Sequence, residues 1–191
     1  MISAGANPPP ASISACVSSF GGELYNVVQS PETPRPCFRH DHRVTWSEGP
    51  TESPQYAYVY DLSPPDLTTT IAAGADVPFA HNGSMSSGIT YATNGQITIA
   101  TAGVYRVEFM ASVTEPGQLE LNQNGLAISS TLYGRTTGTS EILGQATLTV
   151  AAGDILTLRN PSGNSPALTF TPLAGGTHAD VSASITIEQV G

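Results

Sequence analysis

The sequence predicts an all-β protein, an antiparallel jelly-roll sandwich with an extended N-terminal arm. Three observations support this fold class. Short segments alternate apolar and polar residues and are separated by turns rich in Gly, Asn and Pro. Apolar residues do not recur at helical spacing anywhere in the chain. The alternating segments number about ten, close to the roughly eight strands of a two-sheet jelly roll.

The clearest strand is "GVYRVEFMASV". Its apolar residues share one parity, which predicts that one face of the strand lies against a core; they are Tyr105, Val107, Phe109, Ala111 and Val113. "VSASITI" repeats the pattern near the end of the chain through Ile185 and Ile187. In "NQNGLAI", Asn124 and Gly125 lie between two strand-like runs and predict a two-residue hairpin turn.

Composition and charge exclude several classes of function. Only 11% of the 191 residues are charged, the six positive side chains are all Arg, and the formal net charge is −9. Phosphate recognition needs clusters of Lys and Arg, so we expect no binding to nucleic acid and none to an anionic membrane surface. No apolar run approaches the roughly 20 residues that span a bilayer, so we expect no membrane insertion.

Catalytic motifs are also missing from the sequence. There is no G-x-S-x-G, H-E-x-x-H or G-x-x-x-x-G-K-[ST], and without Lys no Schiff base can form. Scattered carboxylates leave a glycosidase pair open, because such groups can meet through the fold. His81 and His178 stand alone and are expected at the surface. We therefore expect no enzymatic activity and no cofactor.

Composition divides the chain near residue 54. The first part holds both cysteines, two of the four histidines and the only Trp. We expect a docking arm over residues 1–20, a Pro-rich stalk or collar with short strands over 21–54, and the jelly-roll domain over 55–191. Residues 1–34 contain no Lys or Arg and are interrupted by prolines, so we expect no secretory signal peptide.

The arm begins with a proline spacer and continues as a short strand. Pro8, Pro9 and Pro10 favour an extended polyproline II segment. In the following "ASISACV", one parity is apolar, through Ile13, Ala15 and Val17, and no local pairing partner is evident. Strand addition to a neighbouring subunit would satisfy such a strand and would build a head-to-tail filament. The alternative is that these residues are merely disordered.

The order of motifs in the second part resembles a known family. "AAGADVPFAHNG", "GITYATNGQITIATAGVYRVEF", "LNQNGLAISSTLYG", "VAAGDILTLRNPSG" and "ADVSASITIEQV" are similar to the C-terminal domain of the collagen-like exosporium glycoproteins of Bacillus spores, the BclA family. That family belongs with the C1q and tumour-necrosis-factor-like jelly rolls. The resemblance covers roughly residues 55–191. The collagen-like Gly-X-Y stalk of the family is absent from residues 1–54.

The resemblance implies a homotrimer with the closing strand near its axis, which makes Ile185 and Ile187 interface candidates. Tyr56, Tyr58 and Tyr60 share one face of "QYAYVYDL", and because trimers of this class bury a sheet face we also expect them at the interface; the alternative is a tyrosine row on a barrel rim. The resemblance further implies a spore-surface location, reached when the mother cell lyses. Related spore appendages use a subunit whose N-terminal arm docks into the next subunit.

Cysteines and histidines form the remaining candidate chemistry. Cys16 and Cys37 are compatible with a disulfide within or between chains, with free thiols, or with metal ligation. "CFRHDHR" places Cys37 near His40 and His42, but a fourth ligand is not obvious, so a polar patch is expected rather than a metal site. The resemblance also raises calcium, which some C1q-like trimers bind; Asp61, Asp66 and Asp76 show no dedicated spacing, and we expect them to be solvated surface residues.

Together these observations predict a structural, non-enzymatic subunit of a spore-surface fibre or exosporium appendage. The expected partners are copies of the chain itself, first as a homotrimer and then as a filament; an anchoring protein on the spore is a further candidate partner. Two alternatives remain at this level: a trimeric recognition or adhesion module that binds a carbohydrate or a host protein, and a tip protein of an appendage or a phage fibre.

Overall fold

The computed structural model describes residues 12–47, 53–66, 70–137, 141–163 and 166–191. The chain divides into two compact units, Met1–Ser53 and Pro54–Gly191. Pro8, Pro9 and Pro10 of the predicted docking arm lie outside the described residues. Within the described ranges, no helix is long and apolar enough to cross a membrane.

The N-terminal unit contains a three-stranded antiparallel sheet. Its strands are β1 (Ser12–Val17), β2 (Leu24–Gln29) and β3 (His42–Ser47), in the order β2-β1-β3. β1 is therefore the central strand, and the prediction that it has no local partner is wrong. Its neighbours are the strand-like runs "LYNVVQ" and "HRVTWS", which follow it closely enough for local pairing.

This pairing also corrects the predicted arm. Ile13 and Val17 pair with strands on both sides, and Ala15 pairs with Val44 of β3 beside a register shift in the β1-β2 ladder, so β1 does not need a sheet from another subunit. The expected boundary between residues 20 and 21 separates two strands that pair with each other. An extended arm can begin only upstream of Ser12.

The jelly-roll unit contains the remaining eleven strands of the described residues. In chain order they are β4 (Tyr56–Ser63), β5 (His81–Met85), β6 (Ile89–Ala92), β7 (Gln96–Ile99), β8 (Gly103–Ala111), β9 (Gly117–Gln123), β10 (Leu126–Ala127), β11 (Tyr133–Arg135), β12 (Ile142–Val150), β13 (Asp154–Arg159) and β14 (Asp180–Gln189). A single 3-10 turn, Ser129–Thr131, precedes β11. All described pairings are antiparallel.

These strands form two sheets. One has the order β12-β8-β14-β4-β5; the other has the order β10-β9-β13-β7-β6, with β11 paired to β9. Because each strand alternates, one parity of each sheet lies in a common apolar core and the other faces outward. The predicted all-β jelly-roll fold is confirmed.

Two local predictions are also confirmed. The apolar parity of β8 is buried, with Tyr105 and Val107 fully inaccessible. Asn124 and Gly125 form the turn between β9 and β10, with φ angles of 53° and 78°. Both lie in the left-handed region that a type I′ hairpin turn requires, and Asn and Gly adopt that region most readily.

The closing strand requires a correction. Ile185 and Ile187 are 0% exposed and belong to the core of a single chain. Side chains with no accessible surface cannot contact a neighbouring subunit, so these two residues are not interface residues. On β14, Thr186 and Glu188 carry the exposed side chains of the opposite parity.

Candidate assembly surfaces

The outward face of the five-stranded sheet is the main candidate surface of the jelly-roll unit. Residues directly opposite each other in antiparallel strands share a face, so the register assembles three cross-strand rows. From β12 through β8 and β14 to β4, these rows are Leu143-Met110-Ser184-Tyr60, Gln145-Glu108-Thr186-Tyr58 and Thr147-Arg106-Glu188-Tyr56. We call this the trimer face, after the assembly proposed below.

A tyrosine row borders the trimer face on β4. The rings of Tyr58 and Tyr60 stack with centroids 5.2 Å apart, and Tyr60 stacks on His81 at 5.1 Å. Tyr56 is 48% exposed, whereas Ala57 and Val59 on the other parity are buried in the core. The structure thus places the three tyrosines on one outward face, where aromatic rings are available to another molecule.

An apolar groove lies at the other border, beside β12. It has a volume of about 420 Å³ and extends across β8 to β14, and its lining combines Met110, Tyr133 and Leu143 with the polar side chains of Glu108 and Gln145. Leu143 is 62% exposed although it is a large hydrophobic residue. The sequence analysis missed this groove. The available signal was "EILGQATLTV", in which Leu143 occupies the parity that otherwise carries polar residues.

Gly144 keeps the rings beside this groove in place. Phe109 and Tyr133 meet edge to face over it, with centroids 5.9 Å apart. A Cβ atom at Gly144 would lie 2.7 Å from the Tyr133 ring and still closer to the Phe109 ring. Any larger residue would have to displace both rings, so glycine is needed here for close packing rather than for a turn.

The trimer face also carries a small charged cluster between its apolar borders. Arg106 lies 3.3 Å from Glu108 and 3.4 Å from Glu188. All three side chains are about half exposed in the single chain, where such pairs contribute little to stability. If another subunit covered these charges, it would have to place opposite charges or hydrogen-bonding groups against them. That requirement favours one orientation of the two subunits.

A buried carboxylate lies at the end of β4. Asp61 shares the core parity with Ala57 and Val59 and is 1% exposed. Its Oδ1 accepts a hydrogen bond from the Ala80 amide at 2.6 Å, and its Oδ2 has no partner. Burial raises the pKa of Asp61 to about 6; the Ala80 hydrogen bond opposes that shift, and the nearby charge of Asp66 adds to it.

Asp66 and His81 connect this carboxylate region with the tyrosine row. Asp66 Oδ2 accepts hydrogen bonds from the Leu62 amide at 2.7 Å and from His81 Nε2 at 2.8 Å. His81 is the ring that stacks on Tyr60. The prediction that Asp61 is a solvated surface residue is wrong, because a strand, and not a loop, places its side chain inside the sandwich.

Asp76, the third carboxylate considered for calcium, is also engaged. It accepts two hydrogen bonds from Arg159, at 2.7 and 3.0 Å. The fork of two parallel bonds is the geometry in which a guanidinium binds a carboxylate most strongly. Among the described residues, no group of three or more His, Cys, Asp or Glu side chains is arranged to hold a metal ion.

In the N-terminal unit, Cys16 and Cys37 form a disulfide within one chain. Cys37 is therefore not a free thiolate that could join His40 and His42 in binding a metal. The bridge fixes the segment between β2 and β3 against the sheet. Close to it, the rings of Tyr25 and Phe38 stack with centroids 5.3 Å apart.

Asp41 completes the attachment of that segment. It accepts hydrogen bonds from the Ser19 amide at 2.8 Å and from the Tyr25 hydroxyl at 2.7 Å. The same hydroxyl accepts a hydrogen bond from the Phe38 amide at 2.7 Å. The hydrogen bonds from Ser19 and Tyr25 hold the pKa of Asp41 below its usual range. Sequence reasoning had placed Asp41 only in a polar patch and missed this role.

Comparisons with known proteins agree with the jelly-roll architecture. A zebrafish complement 1qA globular domain is 15% identical, with 71% of this chain and 96% of that domain covered and a TM-score of 0.50. The Eiger TNF protein of S. frugiperda is 14% identical, with 73% and 94% covered and a TM-score of 0.53. At these identities the likeness establishes the fold alone. None of the curated proteins compared with the chain matches it.

The family comparison agrees with the motif order in the second part of the sequence. The model of the BclA C-terminal domain matches residues 64–191, which is more than half of the chain and most of the jelly-roll unit. On this evidence the chain belongs to the BclA C-terminal domain family.

Proposed function

We propose that this chain is a structural subunit of a spore-surface fibre or exosporium appendage, in which it trimerises through the trimer face and trimers join head to tail. Membership in the BclA C-terminal domain family supports the spore surface as its location. The single observation that carries trimerisation is the trimer face itself. It exposes a tyrosine row and Leu143 on one sheet, although outward positions of a monomeric sandwich are normally polar.

The composition of the trimer face supports a protein partner. Buried aromatic anchors surrounded by polar groups are characteristic of interface centres, and a standard interface covers about 800 Å² per partner. Tyr58 and Tyr60 provide such anchors, and the Leu143 groove provides a complementary depression. In a threefold arrangement, one border of the face packs against the other border on the next subunit.

A charge at Leu143 tests this surface. We expect Leu143→Arg to convert the trimer into a monomer, because a subunit packed over the groove would have to remove the added guanidinium from water, which costs several kcal/mol. The side chain is 62% exposed in the single chain, so the subunit itself should fold. Size-exclusion chromatography with light scattering measures the mass.

Leu126→Arg is the matched control. Leu126 is 74% exposed and lies on the other sheet, at the tip of the β9-β10 hairpin. We expect this variant to remain trimeric. A wild-type chain that is monomeric at micromolar concentration, or an Leu143→Arg variant that stays trimeric, would contradict the assignment of this face.

Head-to-tail linking is proposed for the segment upstream of β1. Because β1 is already the central strand of its own sheet, the docking segment narrows to residues 1–11, which include Pro8, Pro9 and Pro10. An extended segment that inserts into a neighbouring trimer makes a contact that does not close, and such contacts produce filaments.

Deletion of residues 2–11 tests the linking step. We expect filaments from the intact chain in negative-stain electron microscopy and isolated trimers from the deleted chain. Substitution of the same segment by a Gly-Ser sequence of equal length controls for spacing and should also abolish filaments. Filaments that survive both changes would refute docking by this segment; isolated trimers from the intact chain would favour a recognition module instead.

A further inference from the structure

The N-terminal sheet has two chemically different faces. Residues opposite each other share a face, so one face combines Ser14 and Cys16 with Thr45, Arg43 and Tyr25. The disulfide and the Tyr25-Phe38 stack attach the segment between β2 and β3 to this first face. The N-terminal unit thus covers part of this face with its own chain: Ser14 and Cys16 are buried, whereas Arg43 and Thr45 stay exposed.

The second face is apolar, and we call it the collar face. β1 contributes Ile13, Ala15 and Val17, β3 contributes His42, Val44 and Trp46, and β2 contributes Leu24 opposite Val17 and Gln29 opposite Ile13. Trp46 is 47% exposed and Leu24 is 53% exposed. A sheet of three short strands needs a hydrophobic face packed against something to be independently stable. The collar face has the composition of an interface and not of a solvated surface.

We propose that the collar face packs against the same face of the two other copies in the trimer, so that three N-terminal sheets form a collar around the threefold axis. This inference rests on the proposed trimer. Its new content is a second trimer interface, separate from the jelly roll, with Trp46, Val44 and Leu24 as contact residues.

Charge favours a second copy over another kind of partner. His42 is the only titratable side chain among the eight residues of the collar face, so three such faces can meet without bringing carboxylates or guanidinium groups together. A partner recognised by charge would instead meet Arg35 and Arg39, which are exposed, or the jelly-roll unit, which carries three Arg against ten Asp and Glu. Neither feature belongs to the collar face.

Chain connectivity supports the same partner. Ser47 ends β3, and Ser53 ends the N-terminal unit. The intervening chain can extend at most about 22 Å. Three N-terminal sheets tethered to one trimeric head are therefore held at a millimolar effective concentration, at which even weak apolar contacts form.

Trp46 is the only tryptophan in the chain, so its fluorescence reports on the collar face alone. The experiment measures acrylamide quenching of Trp46 in chromatographically isolated wild-type trimers and in the monomeric Leu143→Arg variant. We expect a several-fold lower quenching constant and a shorter emission wavelength in the trimer. Formation of the Cys16-Cys37 bridge, read as absence of thiol labelling, shows that the N-terminal unit is folded in each sample.

Two substitutions in the wild-type trimer separate the collar from the head. Leu24→Asp places a charge on the collar face at an exposed position, and it should raise the quenching constant to the monomer value while the mass remains trimeric. Ser47→Asp adds the same charge beside Trp46 on the opposite face and should change nothing.

Each outcome decides the question. Equal quenching constants in trimer and monomer overturn the collar. Protection of Trp46 that appears only in filaments overturns it as well, because the collar face would then lie between trimers. If Leu143→Arg remains trimeric, the proposed trimer face fails, but the comparison of Leu24→Asp with Ser47→Asp still tests the collar. A wild-type monomer overturns both proposals at the mass measurement.

Discussion

The two units of this chain are stabilised by different means. In the jelly-roll unit, residues between Ala57 and Ile187 form one continuous apolar core between two sheets. Among the described residues of the N-terminal unit, Ala15 and Cys16 are the buried apolar side chains, and a disulfide joins the sheet to its own loop. A sheet of this size buries too little apolar surface to fold alone, so a covalent link or a partner must supply the difference.

The largest effect should come from the core of the jelly-roll unit. Ile185→Ala removes a fully buried side chain and should lower the free energy of unfolding by about 2 to 5 kcal/mol. Thr186→Ala, the adjacent exposed position on β14, should change it by less than about 0.5 kcal/mol. Chemical denaturation in the monomeric Leu143→Arg background measures both. Similar losses for the two variants would contradict the assignment of Ile185 to the core.

The next largest loss of stability should come from removing the disulfide of the N-terminal unit. Cys37→Ser opens a loop with a sequence separation of 21 residues, which costs about 3 kcal/mol by the chain-entropy estimate. That loss exceeds the free energy of unfolding expected for so small a sheet. Strands β1 to β3 should therefore lose hydrogen-exchange protection while the jelly-roll strands retain theirs.

Reductant provides the control for this comparison. Dithiothreitol should reproduce the Cys37→Ser exchange pattern in the wild-type protein and add nothing to a Cys16→Ser/Cys37→Ser double variant. Equal loss of protection in both units would show that they are not independently stabilised. Full retention of protection in β1 to β3 would show that packing, and not the bridge, holds the N-terminal sheet.

The same contrast explains what could be predicted from the sequence. In the jelly-roll unit, alternation along β8 and the Asn124-Gly125 turn are local patterns that determine local structure, and both predictions are confirmed. The partners of β1 were missed because alternation shows that a segment is a strand without showing which segments pair with it. In the N-terminal unit, the disulfide joins β1 to the loop between β2 and β3, and the sequence left the state of the two cysteines open among several alternatives.

The errors in the candidate site have a related cause. Alternation of β14 correctly separates two faces, but it does not show whether the apolar face meets the chain's own core or another subunit. Ile185 and Ile187 were therefore assigned to the wrong contact. Asp61 was misjudged for the opposite reason. Its parity with Val59 indicates burial, but its assignment to a loop beyond the strand led to the expectation of a solvated residue.

The pH dependence of the free energy of unfolding should also differ between the two units. Burial raises the pKa of Asp61 to about 6 in the folded chain, above its value of about 4 in an unfolded chain. A raised pKa means that the folded state binds the proton more tightly. The contribution of Asp61 to the stability of the jelly-roll unit should therefore be most favourable near pH 4 and become less favourable by up to about 3 kcal/mol as the pH rises to about 6 and beyond.

Asp61→Asn should remove this dependence, because an amide oxygen can still accept the hydrogen bond from the Ala80 amide and carries no charge. The variant should be more stable than the wild type above pH 6 and should show a flat profile between pH 4 and 6. Thermal unfolding of the monomeric background across this range measures it.

Asp154→Asn is the control, because the pKa of Asp154 is shifted in the opposite direction from that of Asp61. Hydrogen bonds from Asn124, the Ala151 amide and Gln123 hold the pKa of Asp154 below its usual range. The stability that the ionised Asp154 contributes is therefore lost only as the pH falls below about 4. The Asp154→Asn variant should keep the wild-type slope of stability against pH between pH 4 and 6. A wild-type profile with no slope in that window would mean that Oδ2 of Asp61 finds a partner in solution. The N-terminal sheet, whose Asp41 is held below its usual pKa, should show no loss of hydrogen-exchange protection in the window where the jelly-roll unit weakens.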